Sequence, residues 1–367
     1  MIRKPAVAGR FYPSDPDNLS EMIGEAFDEA ERQRQKKDQA GAGNPENGSV
    51  RKARGVVSPH AGYIYSGKTA ADAVDALEYA DTYILIGPNH TGIGTPVSIS
   101  TSDWETPLGT IRFDEDLLHY FDGSIAVPDE TAHRREHSIE VQLPLLQEKF
   151  RRRSGKEQEN GQRNEQKNEQ RNDQRNDRNP GQPDPFRIFP LCMGHQDPRT
   201  AVEIGLIIRE MIAKEASKEK PKKIAVLATS DFSHYIPAQE AEKIDMRLIG
   251  KIVSEDIRGF YETIDEYDAS LCGYGPIASM IISLADHDVL SSGSPETDEK
   301  GPEISLLSYT NSGEVSGDFD AVVGYAAIAL YRPEGKRLKE KQPDEKRLKR
   351  KASERKTTEK KKEMPDS

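Results

Sequence analysis

Short apolar runs recur along the chain, each bounded by glycine, proline or polar residues and followed by a segment of helical periodicity. They are Gly55-Val56-Val57-Ser58, Tyr83-Ile84-Leu85-Ile86-Gly87, residues 186–192 and Ile224-Ala225-Val226-Leu227-Ala228. Runs without polar alternation suit strands buried on both faces. Helices are predicted over 69–80, from Ile139 onward with Leu145, Leu146 and Phe150 continuing the apolar face, and over 200–214, 238–253 and 277–284. Residues 97–100 and 110–113 are predicted to pair across the turn at Pro107-Leu108-Gly109, and 304–309 and 321–330 to form late strands. This alternation predicts an α/β fold, a single-domain sandwich around a mostly parallel or mixed sheet.

Three stretches break the pattern. Residues 31–52 are polar and rich in Gly, Gln and Asn, and cannot bury enough area to offset their ordering entropy. The stretch 151–185 encloses Gln-Arg-Asn-Glu, Gln-Lys-Asn-Glu and two copies of Gln-Arg-Asn-Asp over 162–177, a repeat with no apolar position. Residues 334–367 are Lys-rich and of mixed charge. The expected organisation is therefore one domain over 1–333 with disordered insertions at 31–52 and 151–185, then a disordered charged tail over 334–367. These segments explain why 34% of the 367 residues are hydrophobic against 31% charged.

The net charge is −11, but the tail carries 14 basic and 8 acidic residues, which leaves −17 on the rest. An acidic body argues against nucleic acid as the main partner. The opening Met1-Ile2-Arg3-Lys4-Pro5-Ala6 has no apolar signal region, and no run approaches the roughly 18 apolar residues of a membrane span. Two cysteines, Cys192 and Cys272, make no disulfide framework. The expectation is a cytoplasmic protein without a membrane partner.

Four of the eight histidines follow the carboxyl ends of apolar runs: His60, His90, His195 and His234. In open α/β sheets that edge is where ligands bind. Imidazole is both a frequent transition-metal ligand and a base that titrates near neutrality. A single strand-end histidine is as well explained by a bond to a nearby carbonyl; four together point to a clustered polar site. Glu136-His137 precedes the Ile139 helix and either joins that site or forms an exposed first turn, with Glu140 near the helix's positive end. Cys272 lies in the turn Leu271-Cys272-Gly273-Tyr274-Gly275-Pro276, where a helix start is expected to lower its thiol pKa. Cys192, inside an apolar strand, is read as packing. There is no C-x-x-C, H-E-x-x-H, G-x-S-x-G or phosphate-binding G-x-x-x-x-G-K-S/T motif.

The string Arg3-Lys4-Pro5-Ala6-Val7-Ala8-Gly9-Arg10-Phe11-Tyr12-Pro13 resembles the opening of the Memo family (mediator of cell motility). Ser58-Pro59-His60-Ala61-Gly62-Tyr63, Gly87-Pro88-Asn89-His90, Glu136-His137-Ser138-Ile139-Glu140, Thr229-Ser230-Asp231-Phe232-Ser233-His234-Tyr235 and Cys272-Gly273-Tyr274-Gly275-Pro276 match it in order, from about Ile2 to Tyr331. The resemblance implies a fold similar to class III extradiol dioxygenases. It implies metal ligands His60, His90 and Cys272, with Asp231 and His234 lining the same pocket, and iron or copper as the cofactor. Prokaryotic members are often named as the B component of an AmmeMemoRadiSam system, which implies AMMECR-like and radical SAM partner proteins. Animal members are implied to act as binding proteins that recognise phosphotyrosine peptides.

A thiolate in place of a carboxylate softens such a site towards copper(I), iron or zinc and speaks against ordinary ring-opening chemistry. The leading expectation is a metal-dependent redox protein, an oxidoreductase, in which His234, oriented or charged by Asp231, serves as the acid/base group or supports the ligands. The alternative from another class is a non-catalytic adaptor that grips a small-molecule or peptide ligand in the same pocket. A third is a metal-free hydrolase or lyase using His234 and Asp231.

Overall fold

The structure is a computed structural model that describes residues 1–39, 51–153, 184–285 and 303–332. In chain order its elements are β1 (Ile2–Arg3), α1 (Pro16–Gln39), β2 (Gly55–Ser58), α2 (Tyr63–Ala76), β3 (Thr82–Pro88), β4 (Val97–Ile99), β5 (Asp103–Thr106) and β6 (Gly109–Phe113). Then come β7 (Ala126–Pro128), α3 (Glu130–His133), α4 (143–153), β8 (Arg187–Met193), α5 (Pro198–Ala216) and β9 (Ile224–Thr229). The last are β10 (His234–Ile236), α6 (Ala238–Val253), α7 (Ile257–Tyr267), α8 (Tyr274–Leu284), β11 (Glu303–Asn311), α9 (Gly313–Ser316) and β12 (Val322–Tyr331).

One mixed sheet of twelve strands runs in the order β1-β5-β6-β8-β3-β9-β2-β12-β10, with β11 on β12 and β4 on β8 and β7. Its centre, β8-β3-β9-β2, is parallel throughout. Successive side chains of a strand point to opposite faces, and the apolar runs divide accordingly. Ile84 and Ile86 of β3 and Val226 and Ala228 of β9 pack on one face, under α5, α6, α7 and α8. Tyr83, Leu85, Ala225 and Leu227 pack on the other, under α1, α2 and α4. Both faces are covered, which is why these strands read as unbroken apolar runs.

Three expectations are corrected. The hairpin at Pro107-Leu108 joins β5 to β6, with Thr106 opposite Gly109, while β4 pairs antiparallel with β8. A two-residue loop needs a strand immediately before it, and residues 97–100 stand too far back. α1 continues through Gln39, so residues 31–39, expected to be unstructured, are helical; 40–50 lie outside the described residues. The first turn after Ile139 is a 3₁₀ turn, Glu140–Gln142, and α4 starts only at 143. Pro144 then sits in the first turn of α4, where its missing N–H costs nothing. The tetrapeptide repeat and the tail also lie outside the described residues. Among the described residues no helix is long and apolar enough to cross a membrane.

Candidate metal centre

The sheet order places the four strands that run into histidines side by side, with their carboxyl ends at one edge. Three of the four imidazoles meet there. His60 follows β2 and is buried, with its Nε2 3.2 Å from the Cys272 Sγ. His90 follows β3, and its ring centroid is 5.1 Å from that of His60. His234, at the start of β10, lines the same cleft. His195 does not join them: its backbone N–H donates to the Pro96 carbonyl and its side chain is exposed. His137 takes its place, stacked on His90 at 4.7 Å and edge-on to His60 at 5.5 Å.

Each imidazole has one nitrogen engaged. The Thr229 hydroxyl donates to the Ser58 carbonyl (2.9 Å), so at 2.8 Å it accepts from Nδ1–H of His60. The lone pair of His60 Nε2 is thereby left towards Cys272. Gln142 braces the arrangement, with Nε2 donating to the Pro59 carbonyl and to Thr229 Oγ1, and Oε1 accepting from Ser58. Burial foremost, and then the neighbouring His90 and His137, lower the His60 pKa, which keeps the ring neutral.

At His90, Nδ1 faces Glu136 Oε1 at 2.9 Å. Burial alone would raise the Glu136 carboxyl. The bond and charge of His90, the charge of His137 and the Ser138 N–H outweigh it and hold the pKa at about 2. Glu136 is therefore an acceptor, Nδ1 of His90 is the donor and Nε2 is free. Burial opposes charge on His90, but Glu136 prevails and raises its pKa. A carboxylate behind a histidine is the usual support of a metal ligand, because it fixes the tautomer and raises ring basicity.

Cys272 is brought in by the loop before α8. A side chain at Gly273 would strike the Thr229 carbonyl and come within 2.7 Å of the Ser230 Cβ, so only glycine lets this loop close on the end of β9. Gly87 plays the same part at β3, where a Cβ would lie 2.6 Å from Ser138 Oγ. The thiol pKa is raised, by burial first and then by the Asp231 charge, against the lowering expected of a helix start. Desolvation outweighs the helix end here. Cys192 is buried, 3.8 Å from the Pro88 carbonyl.

Ligand atoms of His60, His90 and Cys272 all lie within 4.8 Å of one another. Two ligands on one tetrahedral ion stand about 3.5 Å apart, given N and S bond lengths of roughly 2.0 and 2.3 Å. The 3.2 Å between His60 Nε2 and Cys272 Sγ is close to that spacing. Two imidazoles and a thiol fit a soft or borderline transition metal. A second group, His90, Glu136 and His137, shares His90, but its carboxylate is spent on hydrogen bonds.

Asp231 Oδ1 accepts from the His60 N–H at 2.8 Å, and burial raises its pKa to about 7. It does not orient His234, whose Nδ1–H donates to the Ser270 carbonyl at 2.8 Å and leaves Nε2 free. Burial lowers the His234 pKa. The next residue, Tyr235, has φ of +58°, a left-handed conformation costly for a side chain of its size.

Glu136 and Glu140 are buried rather than part of an exposed turn. Glu140 accepts from Arg3 (2.7 Å), from the N–H groups of Ala6 and Val7 and from the Tyr12 hydroxyl. Arg3 also donates to the His133 and Glu136 carbonyls and lies 4.0 Å over the Trp104 ring. The opening segment thus clamps the stretch that carries Glu136 and His137. The roles of Thr229, Gln142 and Ser270 escaped the sequence reading. Gln142 alone carried a signal, as a polar residue between Val141 and Leu143 on an apolar helix face.

Fold and site together define an α/β protein with a His/His/Cys cluster at the carboxyl edge of its parallel strands. Residues 3–329 match the model of the Memo-like protein family. A MEMO1 family protein of Methanosarcina barkeri is 42% identical over 329 residues, covering 90% of this chain and all of the relative. MEMO1 family proteins of Archaeoglobus fulgidus (37%) and Methanocaldococcus jannaschii (36%) each cover 90% of this chain and 99% of their own length. The chain belongs to the Memo family.

Proposed function

We propose that this chain is a metal-binding redox protein in which His60, His90 and Cys272 hold iron or copper. The observation that carries the reading is the convergence of two lone pairs, each left free by a hydrogen bond at the other ring nitrogen, on one thiol within 4.8 Å. When bound, such a metal supplies a centre that changes oxidation state beside a cleft of about 620 Å³. His234 Nε2 is the group available to take or give a proton at that cleft. Asp231, with a pKa of about 7, exchanges a proton near neutral pH.

Cobalt(II) tests the ligand set without assuming a reaction. Titrated into the full-length chain, it is expected to develop a sulfur-to-metal charge-transfer band that Cys272→Ser abolishes and His234→Ala keeps. An identical spectrum in Cys272→Ser would remove the thiol from the site.

The second reading, a binding protein using the same cleft, is favoured by the cleft's exposed aromatic rim, where Tyr235 is 77% exposed. It requires the folded His60→Ala variant to keep its partner.

A further inference from the structure

The cleft over the metal centre is lined by four aromatic rings, Phe11, Tyr65, Tyr235 and Tyr325, and by two carboxylates, Asp231 and Asp318. No lysine or arginine lines it among the described residues. Tyr65, Tyr235 and Tyr325 all line this one cleft, and the Tyr325 side chain bonds to Ser312. Phe11 is held edge-on to His137, its centroid at 4.8 Å. Four histidines, His60, His90, His137 and His234, also face the cleft.

We infer that the cleft takes an organic cation, a ligand whose ammonium or guanidinium group sits among Tyr65, Tyr235 and Tyr325 beside Asp318. Aromatic faces attract cations through their quadrupole, and several rings around one ammonium are the known way to hold a quaternary or alkylated amine. Asp318 supplies the countercharge, and the lack of lysine and arginine leaves a phosphate or carboxylate ligand without a permanently cationic side-chain partner. The inference rests on the metal centre only for the ligand's placement; the cage is built from residues outside the ligand set. Asp318 is ready for the role: one oxygen accepts from the Asp320 N–H at 3.0 Å and the side chain is exposed.

The test compares ligands of one shape and different charge on the purified full-length chain. Choline, its uncharged isostere 3,3-dimethylbutan-1-ol and the anionic phenyl phosphate are titrated by calorimetry, and metal content is measured on the same preparations. Choline is expected to bind at least about fivefold more tightly than the alcohol. That ratio should fall towards one in Asp318→Asn and in Tyr65→Leu, two exposed positions whose substitution leaves the fold and the metal content unchanged. Equal binding of choline and the alcohol, tighter binding of phenyl phosphate, or no heat with choline at its solubility limit would each overturn the cage. Charge discrimination in protein that takes up no metal would keep the cage and remove the metal reading. Full metal content without discrimination would do the reverse.

Discussion

Glu136→Gln probes the support of the metal centre while leaving all three ligands in place. The Glu136 carboxylate accepts four hydrogen bonds: Oε2 from the His90 N–H at 2.6 Å, and Oε1 from His90 Nδ1, the His137 N–H and the Ser138 N–H, each at 2.9 Å. With its pKa near 2 it is fully ionised at neutral pH, so the substitution removes a real charge. A glutamine has one acceptor oxygen. Placed at the Oε1 position, it keeps three bonds and turns its NH2 against the His90 N–H; reversed, it keeps one and opposes three donors. The first arrangement wins, at a cost of about 1–3 kcal/mol for the unpaired buried donor. Loss of charge assistance at the remaining bonds adds roughly 1 kcal/mol. The folded chain should therefore lose about 2–4 kcal/mol in urea, followed through Trp104, its only tryptophan. Metal affinity, measured by competition with a chelator, should weaken about 10–100-fold because His90 is less basic and less firmly aimed. Unchanged affinity in a destabilised variant would refute the reasoning, since Glu136 would then serve the fold alone.

Two further substitutions reach beyond the ligands. Arg3→Met removes the buried partner of Glu140, whose side chain is 0% exposed, and should cost about 3 kcal/mol, the lower end of the usual range because three donors to Glu140 remain. Adding Glu140→Gln should recover part of that loss in urea unfolding, and no recovery would mean that Arg3 acts through Trp104 or the carbonyls instead. His133 is buried and neutral, with Nε2–H on the Ser98 carbonyl and Nδ1 without a partner, and burial lowers its pKa from 6.5 to about 4. The unfolded chain takes up that proton near pH 6.5 and the folded chain does not, so stability present above 6.5 is lost as pH falls towards about 4. The loss reaches about 3 kcal/mol. His133→Gln should flatten the fall by close to one proton's worth, and an unchanged pH slope would contradict the assignment.

Strand identity was legible wherever burial on both faces left an uninterrupted apolar run, as in β2, β3, β8 and β9. Which strands are neighbours was not, because pairing between segments over a hundred residues apart leaves no local mark. The recurrence of histidine after those runs acquires its meaning only from the order β8-β3-β9-β2, which sets the ends side by side. His195 shares the sequence pattern of the other three, but the chain turns to bond Pro96 and carries it away. β5 was missed because Asp103-Trp104-Glu105-Thr106 has one large apolar residue. α1 was not predicted, because its start was not recognised and its last turns are polar. The second layer of the site is written in residues whose importance is geometric. Thr229 and Ser270 look like ordinary loop hydroxyls until their bonds to His60 and His234 are seen.

The most direct test of the central claim is metal content by mass spectrometry on anaerobically purified protein, comparing the full-length chain with Cys272→Ser and His60→Ala. Near-stoichiometric iron or copper in the unaltered chain, reduced in both variants, is the predicted result. Equal metal in all three, or none in any after reconstitution with ferrous iron or cuprous ion, would contradict a His60/His90/Cys272 centre.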